Sequence, residues 1–499
     1  MVSKRNHGAA IDNQPFQAAS LNTHLNSFGF SRPQISLANG SCLKVLEVVR
    51  IIPNKRLVCR CLWNGAKVYA KIFVGDHAKR YAERDALGVQ LLSQARIKTP
   101  ALLLNVELLD FSGQALIFSE VSGGINSEQA YRNSSDFYPT AQQLIAELAL
   151  HHQFNLIQTD LYLKNFLVDG DDIYTLDGDG IRHYPKLTKS KALANLAVLL
   201  SKFDVLEIEA WLPGLLKVYA DARRWKALPN IDDVRKMINR HRISVASHYA
   251  DKKVFRQCTD VAVYNNPRYF EAIARNLGLK QLPINIDACD EFIASGVPLK
   301  SGNTCTVSLA TFEGFSVVVK RYNIKSFWHG VSRAFRQTRA AKSWANAYRL
   351  NILGISTPKP IALVEKRFFG LREKAYFFSE FIDAPDVKSF FEQIKNKNTE
   401  VAAIKEIARL FYRLYLLKLS HGDLKYSNIK MLDGNPCLID LDSLRQHQWT
   451  YFALKGHVHD LRRFMRNWQD QPTLYNTFIK EFSAVYADHQ ALRLAGLIN

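Results

Sequence analysis

Three residues recur in register along the 499-residue chain: Asp160, Asn165 and Asp177 in the first half, Asp423, Asn428 and Asp440 in the second, each pair 263 positions apart. In both copies the Asn follows the first Asp by 5 residues and the second Asp follows the Asn by 12. One such spacing is weak, because Asp and Asn also gather in turns for local hydrogen bonding. Three residues repeated in register constrain the chain far more, to two copies of one folding unit. The second copy reads His421-Gly422-Asp423-Leu424-Lys425-Tyr426-Ser427-Asn428, then Leu438-Ile439-Asp440-Leu441-Asp442. The first reads Gln158-Thr159-Asp160-Leu161-Tyr162-Leu163-Lys164-Asn165, then Leu176-Asp177-Gly178-Asp179.

That order of residues is the one phosphoryl transfer uses, in which a base, a metal ligand and a second metal ligand follow one another along the chain. Asp423 is the candidate base, Asn428 and Asp440 the candidate Mg²⁺ ligands on a nucleotide, and Lys425 the cation that steadies the transferred phosphoryl group. Asp160, Asn165 and Asp177 are their counterparts in the first half.

The length excludes one ordinary core and, with the repeat, favours two domains. A hydrophobic content of 47% against 22% charged residues is that of a globular protein. There is no uninterrupted apolar run long enough to span a bilayer, and the N-terminus lacks the apolar core of a signal peptide, so the expected location is the cytoplasm. Seven cysteines in apolar contexts read as buried thiols; Cys59 and Cys61 share one face of a strand. The net charge of +20 calls for an anionic partner or surface without choosing one. No nucleic-acid module is visible, and none is expected as a partner.

Residues 1–35 read as a loose lead segment. Strand-like runs at 43–49, 57–63 and 67–73 follow, the last two joined by the hairpin signal Asn64-Gly65. Lys71 lies inside the third, where an ammonium is costly unless it serves a phosphate. A helix over 79–94 should bring an acid to it; Glu83 is the first choice and Asp85 the second. The turn at 50–56 has no Gly, so Asn54, Lys55 and Arg56 stand where backbone amides would cradle phosphate. The strand ending at Ser119-Glu120 is placed as a nucleotide-binding hinge, and a helix over 140–153 precedes the Asp160 loop.

The pattern breaks over 250–285, around Asn265-Asn266-Pro267, which sets domains at 36–250 and 251–499. Gly302 then lies in a turn suited to phosphate approach, and Lys320 lies in the buried-strand run Ser316–Tyr322. From Arg321 to Gly354 there is no Asp or Glu, whereas Lys325, Arg333, Arg336, Arg339, Lys342 and Arg349 are basic, so no lysine–acid clamp can form with that helix. Either the segment takes an anionic acceptor or this half binds nucleotide poorly. Ile355-Ser356-Thr357-Pro358 repeats Ile97-Lys98-Thr99-Pro100, and Ser379-Glu380 repeats the hinge of Ser119-Glu120. A helix over 400–419 precedes the second loop, and Asp460 in a later helix stands either as a brace for that loop or as an ordinary helix-start acid.

Taken together, His-Gly-Asp-Leu-Lys-Tyr-Ser-Asn with Ile-Asp-Leu-Asp, the Val-Val-Lys-Arg-Tyr strand, Gly-Ile-Ser-Thr-Pro-Lys-Pro and Asp-Leu-Arg-Arg-Phe resemble the lipopolysaccharide kinase family (Kdo/WaaP, InaA-like), over roughly 40–210 and 295–470. The resemblance implies an α+β chain of two tandem protein-kinase-like domains, each with a β-rich small lobe and a helical large lobe. It implies ATP and Mg²⁺ as cofactors and an inner-core sugar of lipopolysaccharide, heptose or Kdo, as acceptor, with peripheral contact at the inner membrane. The pattern departs at Gln158 for the usual His and at Tyr162 for Lys. The second half lacks the helix acid. One half is accordingly expected to be impaired, with the second favoured as active. A silent pseudokinase scaffold for core assembly is the competing reading.

Overall fold

The structure is a computed structural model that describes residues 33–275 and 286–499, apart from 53, 111, 303–304, 313, 323–336 and 369–370. The lead segment up to residue 32 and the basic residues Lys325, Arg333 and Arg336 lie outside the described residues. Two compact units divide the described chain, one through Ile238 and one from Asn239. The break falls inside a helix rather than at 250/251, because the last turns of that helix pack with the second unit, where Arg349 pairs with Asp251.

In the first unit β1 (Gln34–Ser36), β2 (Cys42–Ile52), β3 (Arg56–Trp63), β4 (Ala66–Val74), β5 (Leu102–Glu107) and β6 (Gly113–Ser119) form an antiparallel sheet ordered β1-β2-β3-β4-β6-β5. Strand alternation decides what lies on each side. Leu57, Cys59, Cys61, Val68, Ala70 and Ile72 fill one face. The intervening residues Phe73, Leu116 and Phe118 meet helix α1 (Ala78–Gln94) on the other, and this puts Lys71 on the helix side. Below the sheet, α2 (Tyr138–Gln153), α3 (Lys189–Leu200) and α4 (Val205–Ala222) bury a leucine-rich core that includes Leu144, Leu148, Leu196, Leu212 and Leu216. Helix α5 (Ile231–Asp251) leads into the second unit.

The second unit opens with a hairpin, β7 (Val261–Asn265) and β8 (Tyr269–Ala274). Asn265-Asn266-Pro267 is therefore part of a hairpin rather than of a linker, and Asn266 Oδ1 accepts from the amides of Arg268 and Tyr269 across the turn. Helix α6 (Ile286–Ser295), β9 (Val297–Lys300), β10 (Cys305–Phe312), β11 (Phe315–Tyr322), α7 (Arg339–Ile352), β12 (Pro360–Phe368) and β13 (Leu371–Glu380) follow. The sheet order is β7-β8-β12-β13-β11-β10-β9. Its last five strands, read from β9, repeat the β2-β3-β4-β6-β5 order of the first unit. Helices α8 (Val387–Gln393), α9 (Lys397–Leu416), α10 (Thr450–Met465) and α11 (Pro472–Val485) form the helical lobe, packed by the ring contacts of Phe411, Phe464, Phe478 and Phe482. Among the described residues no helix is long and apolar enough to cross a membrane. All seven cysteines are free thiols.

Two candidate phosphotransfer sites

Each Asp-Asn-Asp constellation is held by the same main-chain bonds. Asn165 Nδ2 donates to the Asp160 carbonyl at 2.7 Å, and Asn428 Nδ2 to the Asp423 carbonyl at 2.8 Å. The Leu176 amide donates to the Asn165 carbonyl at 2.8 Å, and the Ile439 amide to that of Asn428 at 3.0 Å. Asp177 and Asp440 both adopt left-handed backbone, φ 66° and 63°, a conformation that costs a residue with a side chain about 1–2 kcal/mol. Surrounding structure enforces it twice, at the two positions whose spacing points to a metal ligand.

In the first unit Lys71 Nζ lies 2.6 Å from Asp85 and 3.1 Å from Asp177. Burial acts against the ammonium, but Asp85 and Asp177 lift its pKa above the ordinary lysine value. Burial pushes Asp85 upward and Lys71 opposes that push. Burial also acts against the Asp177 carboxylate, yet Lys71 and Arg56 hold it below the usual range. The acid is thus Asp85, and Glu83 is exposed on the outer face of α1. The reason is periodicity: Ala78, Ala82, Asp85, Val89 and Leu92 form the buried stripe, and position 83 does not belong to it. Gly88 lets α1 approach this closely, since a Cβ there would stand 1.9 Å from the Gly178 carbonyl oxygen. Arg56 in the glycine-free turn reaches Asp177 at 3.9 Å, while Lys55 lies over the Tyr81 ring.

Among the described residues the second unit has no such clamp. Lys320 Nζ meets Asp440 at 3.1 Å and no helix acid. Counting back 15 residues from Pro358, as from Pro100 to Asp85, arrives at Ser343, which is buried and bonded to the Tyr322 hydroxyl at 3.0 Å. Burial acts against the Asp440 carboxylate as well, and Lys320 holds it below the usual range. Helix α7 grips the turn after Asp440 through Asn346, whose Nδ2 donates to the Leu441 and Leu444 carbonyls, and through Arg339, 2.8 Å from Asp442. The first unit has the matching pair Arg84 and Asp179.

The loops beneath differ in the opposite sense. Asp460 accepts from the amides of His421 at 2.6 Å and Gly422 at 2.9 Å, so it braces the second loop. It lies in the third turn of α10 and is no helix-start acid. One turn on, Arg463 Nε stands 3.2 Å from Asp423 Oδ1, with Lys425 Nζ 3.6 Å from the other oxygen. The first unit has Ala197 and Leu200 where Asp460 and Arg463 stand 263 residues later. Its loop is tied instead by Thr159, whose amide and hydroxyl both reach the Gly180 carbonyl, and by Asn195 bonded to the Gln158 carbonyl. Burial, then Asp177, raises the pKa of Asp160. Lys164 and Lys202 both lie over the ring of Tyr162, at 5.3 and 4.5 Å, and burial lowers the pKa of Lys202. Lys202 escaped the sequence reading, and Arg463 entered it only within Asp-Leu-Arg-Arg-Phe, without a role. Arg463 had a signal, its place one turn beyond Asp460 on the same helix.

Gln158 occupies the position of His421 and makes the same bond: its Nε2 donates to the Leu176 carbonyl at 3.2 Å, as His421 Nε2 does to that of Ile439 at 2.9 Å. The carbonyl only accepts, which fixes the proton of His421 on Nε2. At the hinge positions, the Glu120 carboxylate takes Arg60 at 2.7 Å and that of Glu380 accepts from the Lys359 amide at 3.3 Å. Both side chains turn back to their own sheets. Gly302 has ordinary φ, and among the described residues a Cβ would meet only the Cys305 carbonyl oxygen at 3.5 Å, an ordinary van der Waals contact.

Among the described residues no group of three His, Cys, Asp or Glu forms a metal cage. An Asn–Asp pair fits Mg²⁺ completed by phosphate oxygens, since Mg²⁺ is commonly held by one or two carboxylates plus the substrate's phosphates. Asn428 uses its amide nitrogen toward Asp423, which leaves its Oδ1 as an acceptor. A cavity of about 270 Å³ lies next to the loop, lined by Lys388, Phe391, Glu392, Glu400, Trp468 and Gln471. Two of its lining residues meet the loop residue Tyr426: the Trp468 ring at 6.4 Å and Lys388 Nζ at 6.0 Å from the Tyr426 ring.

Sheet order, loop and left-handed Asp define a protein-kinase-like fold. Residues 297–489 match the model of the lipopolysaccharide kinase (Kdo/WaaP) family. No curated protein matches the chain.

Proposed function

We propose that the second unit transfers the terminal phosphate of ATP to a sugar hydroxyl of the lipopolysaccharide inner core, heptose or Kdo, and that the first unit is a second kinase-like domain in a supporting role. The observation that carries this is the brace: Asp460 fixes the His421 and Gly422 amides and so presents Asp423, flanked by Arg463 and Lys425. Asp423 takes the proton of the attacking hydroxyl as its oxygen bonds to phosphorus and the bond to the ADP oxygen breaks. Arg463 and Lys425 hold the carboxylate in place, and Lys425 is near enough to meet charge on the moving phosphoryl group. Asn428 and Asp440 would hold Mg²⁺, which neutralises phosphate charge when bound. Lys320, released from Asp440, would turn to the phosphates passing Gly302. The cavity beside Tyr426, with two carboxylates, an amide and aromatic walls, suits a polyhydroxylated acceptor.

In the first unit Lys71, Asp85, Asn165 and Asp177 retain the nucleotide side of the site, while Asp160 lacks a brace. That fits nucleotide binding with little transfer. The strand ends at Glu120 and Glu380 would meet adenine through their backbones. The lone Lys320 favours one other reading, a silent scaffold in core assembly. Transfer of labelled phosphate from ATP to purified inner-core lipopolysaccharide separates the two. Wild type and Asp160→Ala should transfer, and Asp423→Ala should not. No Mg²⁺-dependent transfer by wild type would leave the scaffold.

A further inference from the structure

Trp449, Tyr451 and Phe452 are 74%, 69% and 55% exposed, three large aromatic side chains within four positions at the entry to α10. Isolated exposed apolar side chains need no explanation, but a contiguous aromatic cluster facing water marks an interaction surface. The Tyr451 and Phe452 rings meet edge to face at 5.4 Å and form one patch. Trp449 is the N-cap residue of α10 and makes no side-chain capping bond. The charge around the patch has one sign. No Asp or Glu occurs from Ser443 to His459, while Arg445 and Lys455 are exposed. At about 100° per residue, Phe452, Lys455, His459, Arg462 and the C-cap residue Arg466 follow one exposed stripe of α10. The opposite side is buried and carries Asp460, the brace of the catalytic loop.

An aromatic tip backed by cations matches the surface of an anionic bilayer, where Trp and Tyr rings settle at headgroup depth and Lys and Arg meet lipid phosphates. We infer that the Trp449–Phe452 tip, with the basic stripe of α10, is where this chain rests on an anionic membrane, so that a lipid-borne acceptor is presented to Asp423. The inference rests on the proposed acceptor being a lipid. The 11 residues from Phe452 to Arg463, the partner of Asp423, rise only about 16 Å along the helix, so anchor and base belong to one rigid element.

The test is co-sedimentation of the full chain with vesicles of phosphatidylcholine alone and of phosphatidylcholine with phosphatidylglycerol, without ATP or lipopolysaccharide. Wild type should bind the anionic vesicles and release in high salt. W449S/Y451S/F452S should bind at least about tenfold more weakly, through lost apolar burial. Lys455→Glu, which leaves every ring in place, should lose about tenfold, through charge. Neither should change phosphate transfer to delipidated core oligosaccharide. Failure of wild type to bind, equal binding by the triple variant, or a wild-type dimer that the triple variant dissolves would overturn the inference. Vesicle binding without any phosphate transfer would instead sink the proposed kinase activity and leave the membrane surface standing.

Discussion

The two sites keep complementary parts of one support scheme. The first has a full lysine clamp, Lys71 between Asp85 and Asp177, over a loop with no carboxylate brace. The second has the brace, Asp460 under His421 and Gly422, and a lysine with a single ion-pair partner among the described residues. Under the proposed function a clamp would order the nucleotide side and a brace the base. Losing the clamp would weaken binding, and phosphate oxygens and metal would replace part of it once nucleotide arrives. Losing the brace would misplace the group that meets the hydroxyl, and nothing in the substrates would replace that. The asymmetry is why the second site is the one proposed to carry the chemistry.

The largest expected effect breaks the comparison outright. Asp423→Asn should lower the transfer rate by about 10²–10⁴-fold, the usual worth of a general base, whereas Asp160→Asn should change it less than about twofold under saturating ATP. Single-turnover transfer decides this, and the reverse ranking would move the chemistry to the first unit. Next is stability. Lys71→Met strands Asp85, which is fully buried, and should destabilise the first unit by about 3–5 kcal/mol. Lys320→Met leaves Asp440 partly reached by water and should cost less than about 1 kcal/mol. Denaturant unfolding followed in each unit checks both, and Lys71→Met/Asp85→Leu should recover most of the loss.

Acid should expose what the units share. His152, bonded to Tyr219 at 2.7 Å, and His457, bonded to Tyr486 at 2.9 Å, are both held by burial at about 3. Each binds its proton more readily when unfolded, with an ordinary value near 6.5. Their stabilising contribution is therefore complete above about pH 6.5 and is lost as pH falls toward about 3, at roughly 1.4 kcal/mol per pH unit for each histidine. Unfolding midpoints measured across that range should fall in parallel in both units; a flat profile in either would remove its histidine from this account.

Much of the site was legible because its spacing is written in the backbone. Asp160 and Asp423 share a register with their Asn and Asp partners that no loop insertion has disturbed, and the hydrogen bonds repeat with it. Choosing between Glu83 and Asp85 required the helical phase of Ala78, Ala82, Val89 and Leu92, a signal present in the sequence but weaker than proximity to the lysine strand. Asp460 was visible as a residue and ambiguous as a role, because its two bonds join segments almost 40 residues apart. Lys202 had no signal: its place over Tyr162 depends on how α3 ends against the loop. The hairpin at 261–274 was hidden by its own turn, since Asn-Asn-Pro marks a linker as readily as a reversal.

The smallest expected effect concerns the substitution that looks most damaging in sequence. Gln158 and His421 each donate from Nε2 to the carbonyl of the residue before the left-handed Asp, and each leaves its other polar atom, Gln158 Oε1 and His421 Nδ1, buried without a partner among the described residues. What the position requires is therefore one N–H at that reach, and both side chains supply it. Gln158→His should shift the stability of the first unit by less than about 1 kcal/mol, the net worth of one retained bond, and should not create transfer activity there, because the missing brace at Ala197 is untouched. His421→Gln should keep transfer within about tenfold of wild type. A loss as large as that of Asp423→Asn would mean that His421 acts through its ring chemistry, and the two loops would then differ in mechanism as well as in support.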